Sequence, residues 1–251
     1  MTRQLIVTAD DAGLHRGMTE GAIRAHRQGI VTACSIVANG VAFDDAIARL
    51  REAPSLEAGV HLTLVEEQPL TAMRFPRKYT SFVPMYLARA ISIESIEREL
   101  RAQIEKVLAT GLRVTHLNSH QHLHMLPRLF ALVSQLAREY AIGYVRVVND
   151  HGSRTRRLPM AGLNFLGKRA GGRRTIGVAD AGHIRDVVPL LDYVHGVTEL
   201  VTHPGIGVDA YAHWSYDWEA ETRALCAPDL RDELARRGIA LIAPSSWQNP
   251  R

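Results

Sequence analysis

Two cysteines, Cys34 and Cys226, are all that 251 residues contain. That excludes a disulfide framework and leaves both thiols as small, buried apolar side chains. Long apolar runs are also absent. The best candidate, Ile30 to Phe43, is interrupted by Thr32, Ser35, Asn39 and Gly40, well short of the roughly 18 residues that a membrane-spanning helix needs. The start, Met1-Thr2-Arg3-Gln4-Leu5-Ile6-Val7, runs straight into Asp10-Asp11 and carries no apolar signal-peptide segment. A cytoplasmic location is therefore expected. There is no internal repeat and no low-complexity stretch. No glycine-rich loop follows the first apolar run either: Thr8-Ala9-Asp10-Asp11-Ala12-Gly13 puts carboxylates where a dinucleotide's phosphates would sit.

The charge is not spread evenly. The net charge is +4, from 30 basic and 26 acidic side chains. Seven of the basic ones (Arg154, Arg156, Arg157, Lys168, Arg169, Arg173 and Arg174) fall in one 21-residue stretch without a single acid, and the rest carries 23 basic against 26 acidic residues. The positive charge is thus one local patch on a near-neutral body. No nucleic-acid motif accompanies it, so a nucleic-acid partner is not expected.

With 46% hydrophobic and 22% charged residues, the chain reads as an ordinary globular protein, and its length suits one α/β domain. Apolar runs alternate with helical patterns throughout. Strands are expected over Leu5 to Ala9, Ile30 to Ala38, Ala58 to Leu64, Val114 to Asn118, Gly143 to Val148, Glu199 to Thr202 and Ile239 to Ala243. Helices are expected over Met18 to Gln28, Asp44 to Arg51, Ser92 to Ala109, Pro127 to Tyr140 and Asp229 to Arg237. Residues 66 to 90 show no clear period. Residues 151 to 180 read as a basic loop or lid with a short helix around Met160 to Arg169. Six or seven strands, most followed by a helix, predict a parallel barrel or an open doubly wound sheet in a single domain spanning 1–251.

Residues able to carry chemistry gather where these strands should end, the face on which parallel α/β folds build their sites. Asp10-Asp11 closes the first strand, where one carboxylate suits a metal ion and the other a proton. His61 interrupts the third apolar strand. His116-Leu117-Asn118-Ser119-His120-Gln121-His122-Leu123-His124 places four of the twelve histidines within nine residues, on one face if the chain there is extended. They cannot all bind one ion, because catalytic sites of this kind use about three protein ligands and keep a position open. The remainder would orient ligands or bind substrate. His203-Pro204-Gly205 ends a later strand, and its histidine is either a proton donor or a turn residue. Arg146 either binds substrate or pairs with Asp150. Tyr211, Trp214, Tyr216 and Trp218 form an aromatic stretch suited to core packing or to a sugar face. Ser119 lacks the Gly-x-Ser-x-Gly elbow of a serine nucleophile.

Leu5 to Leu14, Gly59-Val60-His61-Leu62, Thr115 to Met125 and His203-Pro204-Gly205 together closely resemble the YdjC-like carbohydrate deacetylases, a family that includes chitooligosaccharide deacetylases and a hopanoid-biosynthesis branch. The resemblance spans nearly the whole chain. It implies a distorted (β/α) barrel related to polysaccharide deacetylases, and metal-dependent removal of an acetyl group from an N-acetylated sugar. Asp11, His61 and His120 match the metal ligands, Asp10 the catalytic base and His203 a general acid. His124, Arg146, Asn118 and His122 fall to substrate binding. One divalent ion, Mg2+ or Zn2+, is implied. The partner is an N-acetylated oligosaccharide or glycolipid, with peripheral contact at the inner membrane through the basic segment and a homodimer left open. Ala12 stands where the family commonly has a large residue, which would widen the pocket beside Asp10. Two other readings use the same residues: a metal-dependent phosphoesterase that holds phosphate with the arginine patch, and a non-enzymatic binder of anionic lipid or polymer.

Overall fold

A computed structural model describes residues 3–150, 173–177 and 184–246 of the chain. Its spine is an eight-stranded sheet in which every pairing is parallel. The strands are β1 (Arg3–Ala12), β2 (Ala33–Ile36), β3 (Glu57–Leu62), β4 (Val114–Ser119), β5 (Tyr144–Asp150), β6 (Arg173–Gly177), β7 (Val197–Thr202) and β8 (Ile239–Leu241). The near-continuous apolar runs of β1 and β2 follow from burial on both faces, the condition of a parallel sheet covered by helices.

The sheet curls into a barrel. The strand order is β2-β3-β4-β5-β6-β7-β1-β8, and an additional β1–β2 pairing closes seven strands into a ring. One edge of β1 pairs with β7 over Gln4–Ala9; the other takes β8 at Arg3–Leu5 and β2 at Thr8–Ala12. Sharing one edge between two short strands distorts the barrel at that seam.

Around the strands lie α1 (Arg16–Gln28), α2 (Phe43–Arg51), α3 (Tyr79–Leu87), α4 (Ile93–Leu108), α5 (Leu129–Glu139), α6 (Trp218–Leu225) and α7 (Leu230–Arg236). In α4, Ser92 caps the first turn by accepting the Ser95 N–H, and Ile96, Leu100, Ile104 and Val107 form the buried stripe. The same helix buries two polar residues. Glu99 accepts hydrogen bonds from the backbone of Leu70 and Thr71, and Gln103 clasps both backbone polar groups of Thr63. These bonds pin the loop that leaves β3. A large apolar cluster fills the space between strands and helices, and a smaller one (Leu14, Met18, Val37, Val208 and Trp218) lies under residues 204–218.

Three local expectations change. Residues 66 to 90, without period in the sequence, include α3; it has no side-chain cap and carries Pro84 inside, which erases the usual start signal and helical period. The basic segment 151–180 contains β6, a full member of the barrel, while the helix expected around Met160 to Arg169 lies outside the described residues. Ala12 packs in the apolar cluster with no exposed surface, so its size is set by the core. Both cysteines are free, Cys34 buried and Cys226 partly so. Among the described residues, no helix is long and apolar enough to cross a membrane.

Candidate metal and proton-transfer site

The strand ends deliver their polar side chains to one place. Neighbouring residues on a regular strand face opposite ways, yet both Asp10 and Asp11 approach His61. The cause is local. The β1–β2 register slips between Ala9 and Ala12, and Asp11 takes φ 66°. An irregularity of this kind re-aims a side chain at the barrel rim, and the left-handed backbone of a non-glycine residue stores about 1–3 kcal/mol that the surrounding structure must hold.

Asp11, His61 and His120 form the first cluster. Each offers one ligand atom, and these atoms lie within 4.8 Å of one another. Asp11 Oδ1 is 3.3 Å from His61 Nε2 and 3.2 Å from His120 Nδ1. The hydrogen bonds behind His61 decide which of its nitrogens is free. Asn118 donates its amide to Asp10 and Ser35, so its Oδ1 is the atom 2.7 Å from His61 Nδ1. Nδ1 therefore carries the hydrogen, and the Nε2 lone pair faces Asp11. One carboxylate oxygen and imidazole nitrogens, buried and aimed at a common point, fit a divalent cation, with the second nitrogen of His61 held as metal-ligating histidines usually are. His120 lies between two carboxylates, with Glu66 Oε2 3.2 Å from its Nε2. Burial works against its charge, but Asp11 and Glu66 outweigh that and raise its pKa to about 10. Trp214 stacks on its ring at 5.3 Å and 28°.

Asp10 is the centre of the second cluster. The buried guanidinium of Arg146 grips both of its oxygens, Nη2 at 2.8 Å from Oδ1 and Nη1 on Oδ2. Ser35 Oγ and Asn118 Nδ2 each donate to Oδ1 at 3.0 Å. Burial by itself would raise the Asp10 pKa; Arg146 and His61 overcome it and hold the carboxyl far below its usual range. Glu199 takes the other side of Arg146 at 2.9 Å and accepts from Thr8 Oγ1 at 2.7 Å. An ionised, oriented carboxylate thus stands beside the candidate metal ligands.

The histidine-rich segment departs from its expected form. β4 ends at Ser119, and His120–Met125 leaves the sheet as a 3-10 turn with φ 54° at Gln121 and 53° at His122. His120, His122 and His124 therefore do not share a strand face. Only His116 and Asn118 do, and both meet Ser35. Each has a different setting. His116 lies against Gly59, where a Cβ would come within 2.3 Å of its ring, and burial lowers its pKa to about 4. His124 Nδ1 bonds Ser119 Oγ at 2.6 Å and its Nε2 the Arg146 carbonyl at 2.9 Å, leaving no nitrogen for a substrate. Arg146 and Asn118 are likewise committed to side chains of the site. His122 keeps a buried Nδ1 without a hydrogen-bond partner among the described residues.

His203 stands one residue beyond β7, close enough to Asp10 and His122 to act on their charges. Its turn is clamped against α1: a Cβ on Gly21 would sit 2.5 Å from the Gly205 backbone. Tyr211, Trp214 and Tyr216 pack around Trp218 in the smaller apolar cluster, the core role expected of them, with Trp214 also reaching His120.

Ser35, Glu66, Glu199 and Glu221 were not read as site residues in the sequence, and Tyr216 was read only as part of the aromatic stretch. Glu199 had a usable signal, since an acid third in an apolar strand demands a buried partner. Glu66 had only its place four residues after Leu62, beyond the strand end.

The whole chain has relatives. A family model described as YdjC-like protein matches residues 4–236. A carbohydrate deacetylase of Brevibacillus brevis is 31% identical over 254 residues, covering 95% of this chain and 97% of that protein. The crystal structure of a protein from Enterococcus faecalis V583 is similar with a TM-score of 0.78 at 23% identity, covering 98% of this chain and 99% of that one. Peptidoglycan deacetylase PdaC from Bacillus subtilis is similar with a TM-score of 0.50 at 11% identity, over 97% of this chain and 89% of that one. The structural likeness identifies the fold, a distorted (β/α) barrel of the polysaccharide-deacetylase kind.

Proposed function

The chain belongs to the YdjC-like family, and from that premise and the geometry of its site we propose that it is a metal-dependent N-deacetylase of an N-acetylated sugar. The observation that carries this reading is the pairing of a cation-fitting triad, Asp11, His61 and His120, with an adjacent carboxylate, Asp10, that is buried, ionised and fixed in orientation.

Asp11, His61 and His120 would hold a divalent ion, which would supply Lewis-acid polarisation of the amide carbonyl and a lower pKa for water, from 15.7 toward about 7. The rest falls to the chain. Asp10 accepts a proton from the attacking water, because Arg146 keeps its carboxyl ionised and its oxygens in place. Ser35 and Asn118 restrict Asp10 further. His203, just past the end of β7 and so beside Asp10 on the neighbouring strand, donates a proton to the departing nitrogen as the C–N bond breaks. The products are acetate and a free amine. Trp214 and Tyr211, beside His120 at the rim, offer apolar surface to a sugar ring. The oxygen and nitrogen donors suit Zn2+, and an open hydrated site also takes Mg2+.

The test is acetate release from N-acetylglucosamine oligosaccharides and N-acetylated glycolipids, before and after stripping with a chelator and after adding back Zn2+ or Mg2+. The reading predicts release that disappears on stripping and returns with metal. Phosphate release from phosphoesters, with no acetate from any N-acetylated sugar, would replace it with the phosphoesterase reading.

A further inference from the structure

One buried carboxylate holds the backbone of His203 directly and its ring through a tyrosine. Glu221, on α6, has no exposed surface. Its Oε1 accepts the backbone N–H of His203 at 2.6 Å, and its Oε2 accepts that of Ile184 at 3.3 Å and the hydroxyl of Tyr216. The Tyr216 oxygen is also 3.3 Å from His203 Nδ1, with the two rings edge to face at 5.4 Å and 67°. A phenol has one hydrogen. Here it is given to Glu221, so the oxygen meets the imidazole with a lone pair, and His203 must supply the hydrogen from Nδ1.

We propose that Tyr216 and Glu221 are positioning residues for His203: they hold its ring with hydrogen on Nδ1 and so make Nε2 the atom that delivers the proton to the leaving amine. This rests on the reading of His203 as the general acid. The transfer balances without further groups. The imidazolium loses its Nε2 proton to the amine nitrogen as the C–N bond breaks, and neutral His203 keeps its Nδ1 hydrogen on Tyr216. Tyr216 and Glu221 exchange no proton. Burial, together with the charge of Glu221, holds the phenol protonated far above its usual range. Among the described residues, the other charged or titrating groups that act on His203 are Asp10, of opposite sign, and His122. Burial pushes the Glu221 carboxyl above its ordinary value, and the charge of His203, the Tyr216 hydroxyl and the backbone N–H groups of His203 and Ile184 work against that.

The test uses full-length protein loaded with Zn2+ or Mg2+ and labelled with 15N-histidine. Imidazole correlation spectra of the neutral ring should show His203 in the Nδ1–H form in the wild type, with that preference lost in Tyr216→Phe. In kinetics on an N-acetylated oligosaccharide, Tyr216→Phe should lower kcat about tenfold to a hundredfold, part of the 10²–10⁴ that a positioned proton donor contributes. KM should stay within about twofold, and the basic limb of the kcat/KM profile should move to lower pH, because the imidazolium loses its partner. Glu221→Gln, which keeps the shape but removes the charge and turns one of the two accepting oxygens into a donor, should move the same limb in the same direction. Metal content should be unchanged in both variants. An Nε2–H tautomer in the wild type, or a Tyr216→Phe profile superimposable on the wild type, would overturn the proposal. If no substrate yields acetate, the functional reading fails separately, and the tautomer alone decides the placement of His203.

Discussion

Arg146→Met removes the only cation that touches both Asp10 and Glu199 among the described residues, and its consequences can be worked through. The guanidinium is fully buried between the two carboxylates. Methionine keeps most of the volume but leaves two acids without their counter-charge. Breaking a buried pair by removing one partner costs about 3–5 kcal/mol, a large share of the roughly 5–15 kcal/mol that holds a typical domain together. With a urea dependence of roughly 3 kcal/mol/M, the unfolding midpoint should fall by about 1–1.7 M. The pH dependence should change sign. In the wild type Asp10 is held below its ordinary 3.8, so its contribution is complete above that pH and fades only below it. In the variant burial is no longer opposed by Arg146, the carboxyl rises above 3.8, and stability is lost as pH climbs through that range. Acetate release should drop by about 10²–10⁴, since a protonated or misaligned Asp10 cannot take the proton. Adding Glu199→Gln removes one of the stranded charges and should restore part of the midpoint but none of the activity. A midpoint within about 0.2 M of wild type, the range of an ordinary surface change, together with unchanged acetate release, would refute the reasoning.

Two further outcomes are expected. Gly59→Ala drives a methyl group into the His116 ring, which Ser35 and Thr115 hold on either side; it should cost about 1–3 kcal/mol in thermal or urea unfolding, as overpacking does. Glu66→Ala takes away the carboxylate on His120 Nε2 and should weaken Zn2+ binding about 10–100-fold by calorimetry, with Glu66→Gln retaining most of the affinity.

How much of this was legible in the sequence depends on where the information lay. The parallel sheet with its crossover helices was, because burial on both faces of a strand writes itself as unbroken apolar runs and each helix shows its own period; its closure into a barrel rather than an open sheet came only from the family resemblance. The meeting of Asp10, Asp11, His61 and the histidine-rich segment was, because polar residues at the carboxyl ends of parallel strands converge; the choice of His120 among four histidines came from the family resemblance. The histidine-rich segment was misread in shape: alternation from His116 to His124 looks extended, but left-handed residues at Gln121 and His122 carry no signal in those residue types. Arg146 was singled out as a ligand for substrate, and its engagement by Asp10 and Glu199 depends on two strands, β1 and β7, nearly two hundred residues apart in sequence. Tyr216 was read only as part of an aromatic stretch, and Glu221 and its helix were not read at all. Their chemical meaning appears only when α6 packs against the His203 turn.

The central claim is a division of labour between two adjacent aspartates, Asp11 holding the ion and Asp10 moving the proton. The most direct measurement is acetate release and bound metal determined side by side on Asp10→Asn. The account predicts one divalent ion retained per chain and acetate release reduced by at least about 10²-fold, the lower end for loss of a general base. Wild-type acetate release by Asp10→Asn would contradict it.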